Sequence, residues 1–106
     1  MSNKNTFPDS AVKSYSQAFY ELANEEKNLN EIEDQTTALI KLISQSEDFN
    51  LLIKDPTNKQ EDQLNVINII FKKFNLNKLL NKFLNFLVEK RRLFYLEKIL
   101  KDFILI

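Results

Sequence analysis

The chain has 106 residues, 43% of them hydrophobic and 28% charged, with 15 basic and 15 acidic side chains and no glycine, cysteine, histidine or tryptophan. That length is one domain, able to hold a core without covalent staples. The missing residue types exclude a glycine-rich phosphate loop, a zinc site of the usual kind, thiol chemistry, disulfides and any histidine-based triad.

The charge is balanced in total but divided along the chain. Residues 1–53 carry four lysines against nine acidic residues, and residues 54–106 carry eleven basic against six acidic ones. A neutral total argues against a nucleic-acid binder, which carries a basic excess. The division suggests two halves that attract, or one acidic and one basic face. No apolar run is long enough to span a bilayer. The segment Met1 to Asp9 is polar, reads as a flexible lead-in, and lacks the apolar core of a signal peptide, so the expectation is a soluble intracellular protein.

From residue 10 onward the chain reads as one helical domain. The first helix is predicted from Ser10, as N-cap, to Glu25; Ala11, Val12, Tyr15, Ala18, Phe19, Leu22 and Ala23 recur at helical spacing as one wide apolar face. A second helix starts at Asn28, with Glu31 placed for a capping box, and carries Leu29, Ile32, Thr36, Leu39, Ile40 and Ile43 as its stripe. Glu31, Glu33 and Asp34 lie in its first turns, where the helix dipole favours negative charge. Ser46 caps a short third helix with Phe49, Leu52 and Ile53, which Pro56 stops. Asn58 and Glu61 are placed to cap a fourth helix reaching Phe74, with Leu64, Ile67, Ile70, Phe71 and Phe74 on one side and Val66 and Ile69 widening it. Asn75-Leu76-Asn77 makes the next corner; without glycine, asparagine is the best remaining residue for a left-handed helix end. The fifth helix runs from Lys78 to Lys90 and the sixth from Phe94 to the end, with Leu96, Ile99, Leu100, Phe103 and Ile104 as its apolar face. Both prolines, Pro8 and Pro56, lie outside these helices. The fold class is therefore all-α, a six-helix antiparallel bundle, and Ile67, Ile70, Leu84, Leu87, Leu96 and Leu100 are expected in its core.

The fifth helix has more apolar surface than one face needs. Either it is the central helix, buried on several sides, or one side packs inside while the other stays open for a partner helix. In the second reading Leu80, Leu84, Leu87 and Val88 face in, and Leu79, Phe83 and Phe86 face out. The first helix has a similar excess with small residues set into it, which suits tight packing inside the bundle or close approach by another helix. Lys90-Arg91-Arg92 is a basic cluster too small for a phosphate-tracking surface and reads as charge complementing a helix C-terminus. Glu25, Glu26, Glu31, Glu33 and Asp34 lack the ligand pattern and glycine of a calcium loop and read as a solvated face.

Three segments resemble one family. Tyr15-Ser16-Gln17-Ala18-Phe19-Tyr20-Glu21-Leu22-Ala23 is similar to the opening Tyr-Ala-x-Ala-(Leu/Phe)-(Phe/Tyr)-x-x-Ala signature of the ATP synthase delta subunit, called the oligomycin-sensitivity-conferring protein in mitochondria. Phe49-Asn50-Leu51-Leu52-Ile53-Lys54-Asp55-Pro56 resembles that family's stretch ending in Leu-Leu-x-(Asn/Ser/Asp)-Pro. Phe83 to Leu93, followed by Leu96, Ile99 and Phe103, is similar to its Phe-Leu-x-x-Leu-x-(Glu/Asp)-Asn-x-Arg-Leu-x-x-Leu-x-x-Ile segment. The order and spacing match over residues 8–104, with Ser16 and Lys90 replacing the usual alanine and asparagine.

The resemblance implies a six-helix bundle atop the catalytic head of the rotary synthase, binding the amphipathic N-terminal helices of the alpha subunits in a groove between helices one and five. The residues expected to line it are Ala11, Tyr15, Ala18, Leu22, Leu79, Lys82, Phe83 and Phe86. It further implies a stator role with no enzymatic activity and no cofactor, metal, nucleic acid or inserted membrane segment. The location implied is the cytoplasmic face of an energy-transducing membrane, the bacterial inner membrane. Family members are longer, and their second, C-terminal domain meets the peripheral stalk, so stalk contact is expected to need that missing domain. A generic helical adaptor holding an amphipathic helix in another complex is the alternative.

Overall fold

The structure, a computed structural model, describes residues 9–106. Six α-helices follow in order: α1 Asp9–Glu25, α2 Leu29–Gln45, α3 Glu47–Lys54, α4 Gln60–Phe74, α5 Lys78–Glu89 and α6 Leu96–Leu105, with a 3₁₀ turn at Leu93–Tyr95 before the last. Among the described residues there is no strand, as the helical periodicity predicted. Of the lead-in expected over residues 1–9, residues 1–8 lie outside the described residues and Asp9 already belongs to α1.

α6 sits between α1 and α2, and α4 lies along α5; α3 packs on α2 and on the 3₁₀ turn. Leu96, Ile99 and Leu100 of α6 are wholly buried, as are Leu84 and Leu87 of α5 and Ile67 of α4, and Ile70 is 7% exposed. All six expected core positions are therefore inside. One buried polar contact joins the first helix to the last: Ser16, which is fully buried, donates its hydroxyl to Asp102 at 2.5 Å.

Helix ends follow local chemistry, with some partners exchanged. Ser46 caps α3 as expected, its oxygen accepting the Phe49 N–H at 3.2 Å. α1 already includes Asp9, so Ser10 lies inside its first turn, where its carbonyl accepts from the Ser14 hydroxyl. Asn28 occupies the N-cap of α2 but makes no side-chain cap bond. Glu31, free of the expected capping box, accepts instead from the side-chain amide of Asn77 at 2.8 Å. Gln35 completes that clamp by accepting the Asn77 N–H at 2.7 Å, so α2 holds the corner that starts α5. Asn58 is likewise diverted. Lys59 is the N-cap of α4, while the Asn58 amide donates to the Leu51 and Leu52 carbonyls and closes the end of α3.

Three corners use left-handed residues in a chain without glycine: Lys27 at φ 58°, Asn75 at φ 51° and Arg91 at φ 57°. After each, the following N–H reaches back to the last turn: Asn28 to the Ala23 carbonyl, Leu76 to Phe71 and Arg92 to Leu87, at 3.2, 3.1 and 2.7 Å. This is the closure that satisfies orphan carbonyls at a helix end. Asparagine tolerates the conformation; lysine and arginine carry a steric cost that glycine would not.

Candidate partner groove

α1 approaches α6 and α2 by backbone, but it meets α5 through aromatic rings. Phe19 and Phe83 stack with centroids 4.3 Å apart and planes 6° apart, and Phe19 also lies 5.0 Å from the Phe103 ring. One turn along, Tyr15 meets Phe86 edge-on at 6.1 Å. Pairing 15 with 86 and 19 with 83 sets the two helices antiparallel. Large rings hold them apart and floor the trough between them.

Of the eight residues expected to line a groove between α1 and α5, seven are exposed or half-buried. Leu22 is 46% and Phe86 41% exposed; Ala18 and Lys82 are exposed, and Ala11, Tyr15 and Leu79 are half-buried. Phe83 is the correction. It was expected to face out with Leu79 and Phe86, yet only 8% of it is exposed, because its ring is drawn onto Phe19. It supplies the floor rather than an anchor on the rim. The expected inward set, Leu80, Leu84, Leu87 and Val88, is wholly buried. α5 thus combines the two sequence readings: a wide buried face, and an open strip of Leu79, Lys82 and Phe86. Lys90 extends over the open end of that strip, its Nζ 5.8 Å from the Phe86 ring centre.

The titratable chemistry lies elsewhere. Lys54 donates to Glu97 at 3.0 Å and Lys101 follows at 3.3 Å, and the Lys54 contact holds the Glu97 carboxyl below its usual range against the opposing effect of desolvation. Asp55 is lowered by the hydroxyl and N–H of Thr57, both donating to its Oδ1. Among the described residues no three His, Cys, Asp or Glu side chains converge on a possible metal position. What the groove offers is apolar surface with a charged rim.

A family model described as ATP synthase delta (OSCP) subunit matches residues 11–106. The chain belongs to the ATP synthase delta (OSCP) family. It is 54% identical to ATP synthase subunit delta of Pelagibacter ubique (strain HTCC1062) over 104 residues, which is 98% of this chain and 56% of that relative. It is 34% identical to the chloroplastic ATP synthase subunit delta of Galdieria sulphuraria over 95 residues, 90% of this chain and 53% of the relative. The chain spans about half the length of the curated relatives it matches. A chain in the cryo-EM structure of the Toxoplasma gondii mitochondrial ATP synthase hexamer has the same fold, with a TM-score of 0.82 over 87% of this chain and 51% of that one, at 21% identity. No helix among the described residues is long and apolar enough to cross a membrane.

The sequence did not single out a second apolar strip, where α2, α3 and α4 meet. Leu42, Phe49, Leu52, Val66 and Phe74 surround a shallow depression there, with Ile69 61% and Phe74 53% exposed. The signal was available in the width of the α4 face, where Val66 and Ile69 exceed what one buried stripe requires.

Proposed function

We propose that the domain is a structural, non-catalytic part of the stator of a rotary ATP synthase, in which the α1/α5 groove receives the amphipathic N-terminal helix of an alpha subunit. The observation carrying this reading is the aromatic-floored trough with Leu22 and Phe86 left open above it. A helix-in-groove joint draws its affinity from a few apolar anchors in a dry trough. Ala18 leaves room for a close backbone approach. Such a joint suits a mechanical role, because holding the catalytic head against rotor torque needs slow dissociation and no bond chemistry. The working location in this reading is peripheral, on the cytoplasmic face of the energy-transducing membrane.

Titration of the domain with a synthetic peptide of the cognate alpha-subunit N-terminus, followed by amide chemical shifts, tests the reading. Shifts concentrated on residues 11–22 and 79–86, lost in Phe86→Asp, are expected. Shifts concentrated on the α2–α4 strip instead would remove α1 and α5 as the docking site.

A further inference from the structure

The groove has walls of opposite charge at one end. Because α1 and α5 run antiparallel, the last turns of α1 face the first turns of α5, and Glu26, Lys78, Leu79 and Lys82 line one concavity there. On the α1 side Glu21 and Glu25 follow Ala18 and Leu22 by three residues each, which by helical spacing sets them beside that pair; on the α5 side Lys82 lies one turn from both Leu79 and Phe86, with Lys78 one turn before it. All four are exposed, and none makes a side-chain hydrogen bond or ion pair within the described residues. At the other end α1 carries the neutral Ser14 and Gln17, opposite Glu89, Lys90, Arg91 and Arg92 at the close of α5, so opposed charges do not face each other there.

These charges oppose what helix stability asks for. α1 has no basic residue in its last turn and ends on Glu25, and α5 has no acidic residue in its first turn and opens on Lys78. The macrodipole disfavours both arrangements. Two helices keep the rule at both ends: α3 opens on Glu47 and Asp48 and closes on Lys54, and α4 opens on Glu61 and Asp62 and closes on Lys72 and Lys73; α2 and α6 keep it at their acidic first turns only. A local rule broken at the facing ends of α1 and α5, where an acidic and a basic helix end meet, and kept at both ends of α3 and α4, points to a use outside the domain's own stability.

We infer that the groove takes an amphipathic helix in one direction only: a helix with a basic flank facing Glu21 and Glu25 and an acidic flank facing Lys78 and Lys82. This rests on the groove being the docking site. A helix whose apolar stripe faces the floor presents one flank to each wall. Turning it end for end exchanges the flanks and sets like charges together. Apolar anchors provide the affinity, and the walls choose the polarity. α5 has 12 residues, so the trough is about 18 Å long and holds three to four turns of partner helix.

The test uses two synthetic peptides with one Leu/Ala stripe, one carrying lysines along its left flank and glutamates along its right, the other with these exchanged. Each bears a nitroxide at its N-terminus. The expected result is broadening of amides near Leu22 and Leu79 by one peptide, and near Tyr15 and Phe86 by the other. A roughly tenfold preference for one direction is expected at low salt, approaching parity in 1 M NaCl. In the domain variant Glu21→Lys/Glu25→Lys/Lys78→Glu/Lys82→Glu, the two patterns exchange. Binding of both peptides in the groove in the same direction, or patterns unchanged by the fourfold variant, would overturn directionality while leaving the docking site standing. Absence of any perturbation on α1 and α5 by either peptide would overturn both.

Discussion

α3 and α4 were assembled by the same chain as α1 and α5, yet the two pairs are built to different rules. In α3 and α4 acidic residues stand at the start and lysines at the end, and Ser46 caps α3 with its side chain. Their charges serve the helices that bear them. In α1 and α5 the charges at the facing ends work against their own helices, and Leu22 and Phe86 stay open beside them. The helix-charge rule is kept in α3 and α4 and set aside at the facing ends of α1 and α5, although α4 also leaves Ile69 and Phe74 open.

The sharpest break in that comparison lies within α5. Leu84→Ala or Leu87→Ala removes a wholly buried side chain and should cost about 2–5 kcal/mol by denaturant unfolding. Phe86→Asp, one position away, should cost about 1 kcal/mol, because 41% of the ring is already exposed and the main loss is its edge contact with Tyr15. Equal losses at both positions would mean α5 has no open side. Next in size is the fourfold charge exchange at residues 21, 25, 78 and 82. It should raise stability by about 1 kcal/mol at low salt, since the charges at positions 25 and 78, in the terminal turns, then agree with their helix dipoles. The same kind of reversal at Glu47 and Asp48 should lower stability by about 1 kcal/mol. Opposite signs for the two exchanges are the expected outcome, read from thermal melts.

Smaller effects test the corners and the ion pairs. Lys27→Gly should stabilise by roughly 0.5 kcal/mol, as relief of the left-handed conformation outweighs the added freedom of the unfolded chain, whereas Asn75→Ala should cost about 1 kcal/mol. Glu97 gives the smallest signal. Its carboxyl is held low in the folded state, so its contribution is present above the unfolded value of about 4.3 and fades as pH falls through the lower folded value. Both lysine partners are exposed, so Glu97→Gln should flatten the acid limb of the stability profile by less than about 1 kcal/mol.

Most of the fold was legible because it rests on period and punctuation. The stripe of α6, the stop at Pro56, the Ser46 cap and the left-handed Asn75 all follow from residue type and spacing. Phe83 was misread for a geometric reason. It lies between the inward and outward arcs of α5, and which arc it joins depends on Phe19, 64 positions earlier in the sequence. Lys27 and Arg91 gave no signal, since nothing in a lysine or arginine announces a left-handed corner. Asn58 and Glu31 look like caps locally, but a carbonyl on α3 and an amide on Asn77 compete for them. Helices one and five stood out in the sequence because their apolar surface exceeded need; the opposed charges at their facing ends became visible only once antiparallel pairing brought residues 21–26 beside residues 78–82.

The burial of α6 between α1 and α2 also governs when the domain can come into being. Ser16 and Asp102 are bonded across 86 positions, and the inner face of α1 is covered by the sixth helix to leave the ribosome. A nascent chain that has not yet passed Leu96 has no α6 against which to seat Phe19, and so no firm wall opposite α5. The α1/α5 surface is therefore a late product of the domain's synthesis: the two helices are fixed against each other only once the chain has closed on itself, a timing set by topology.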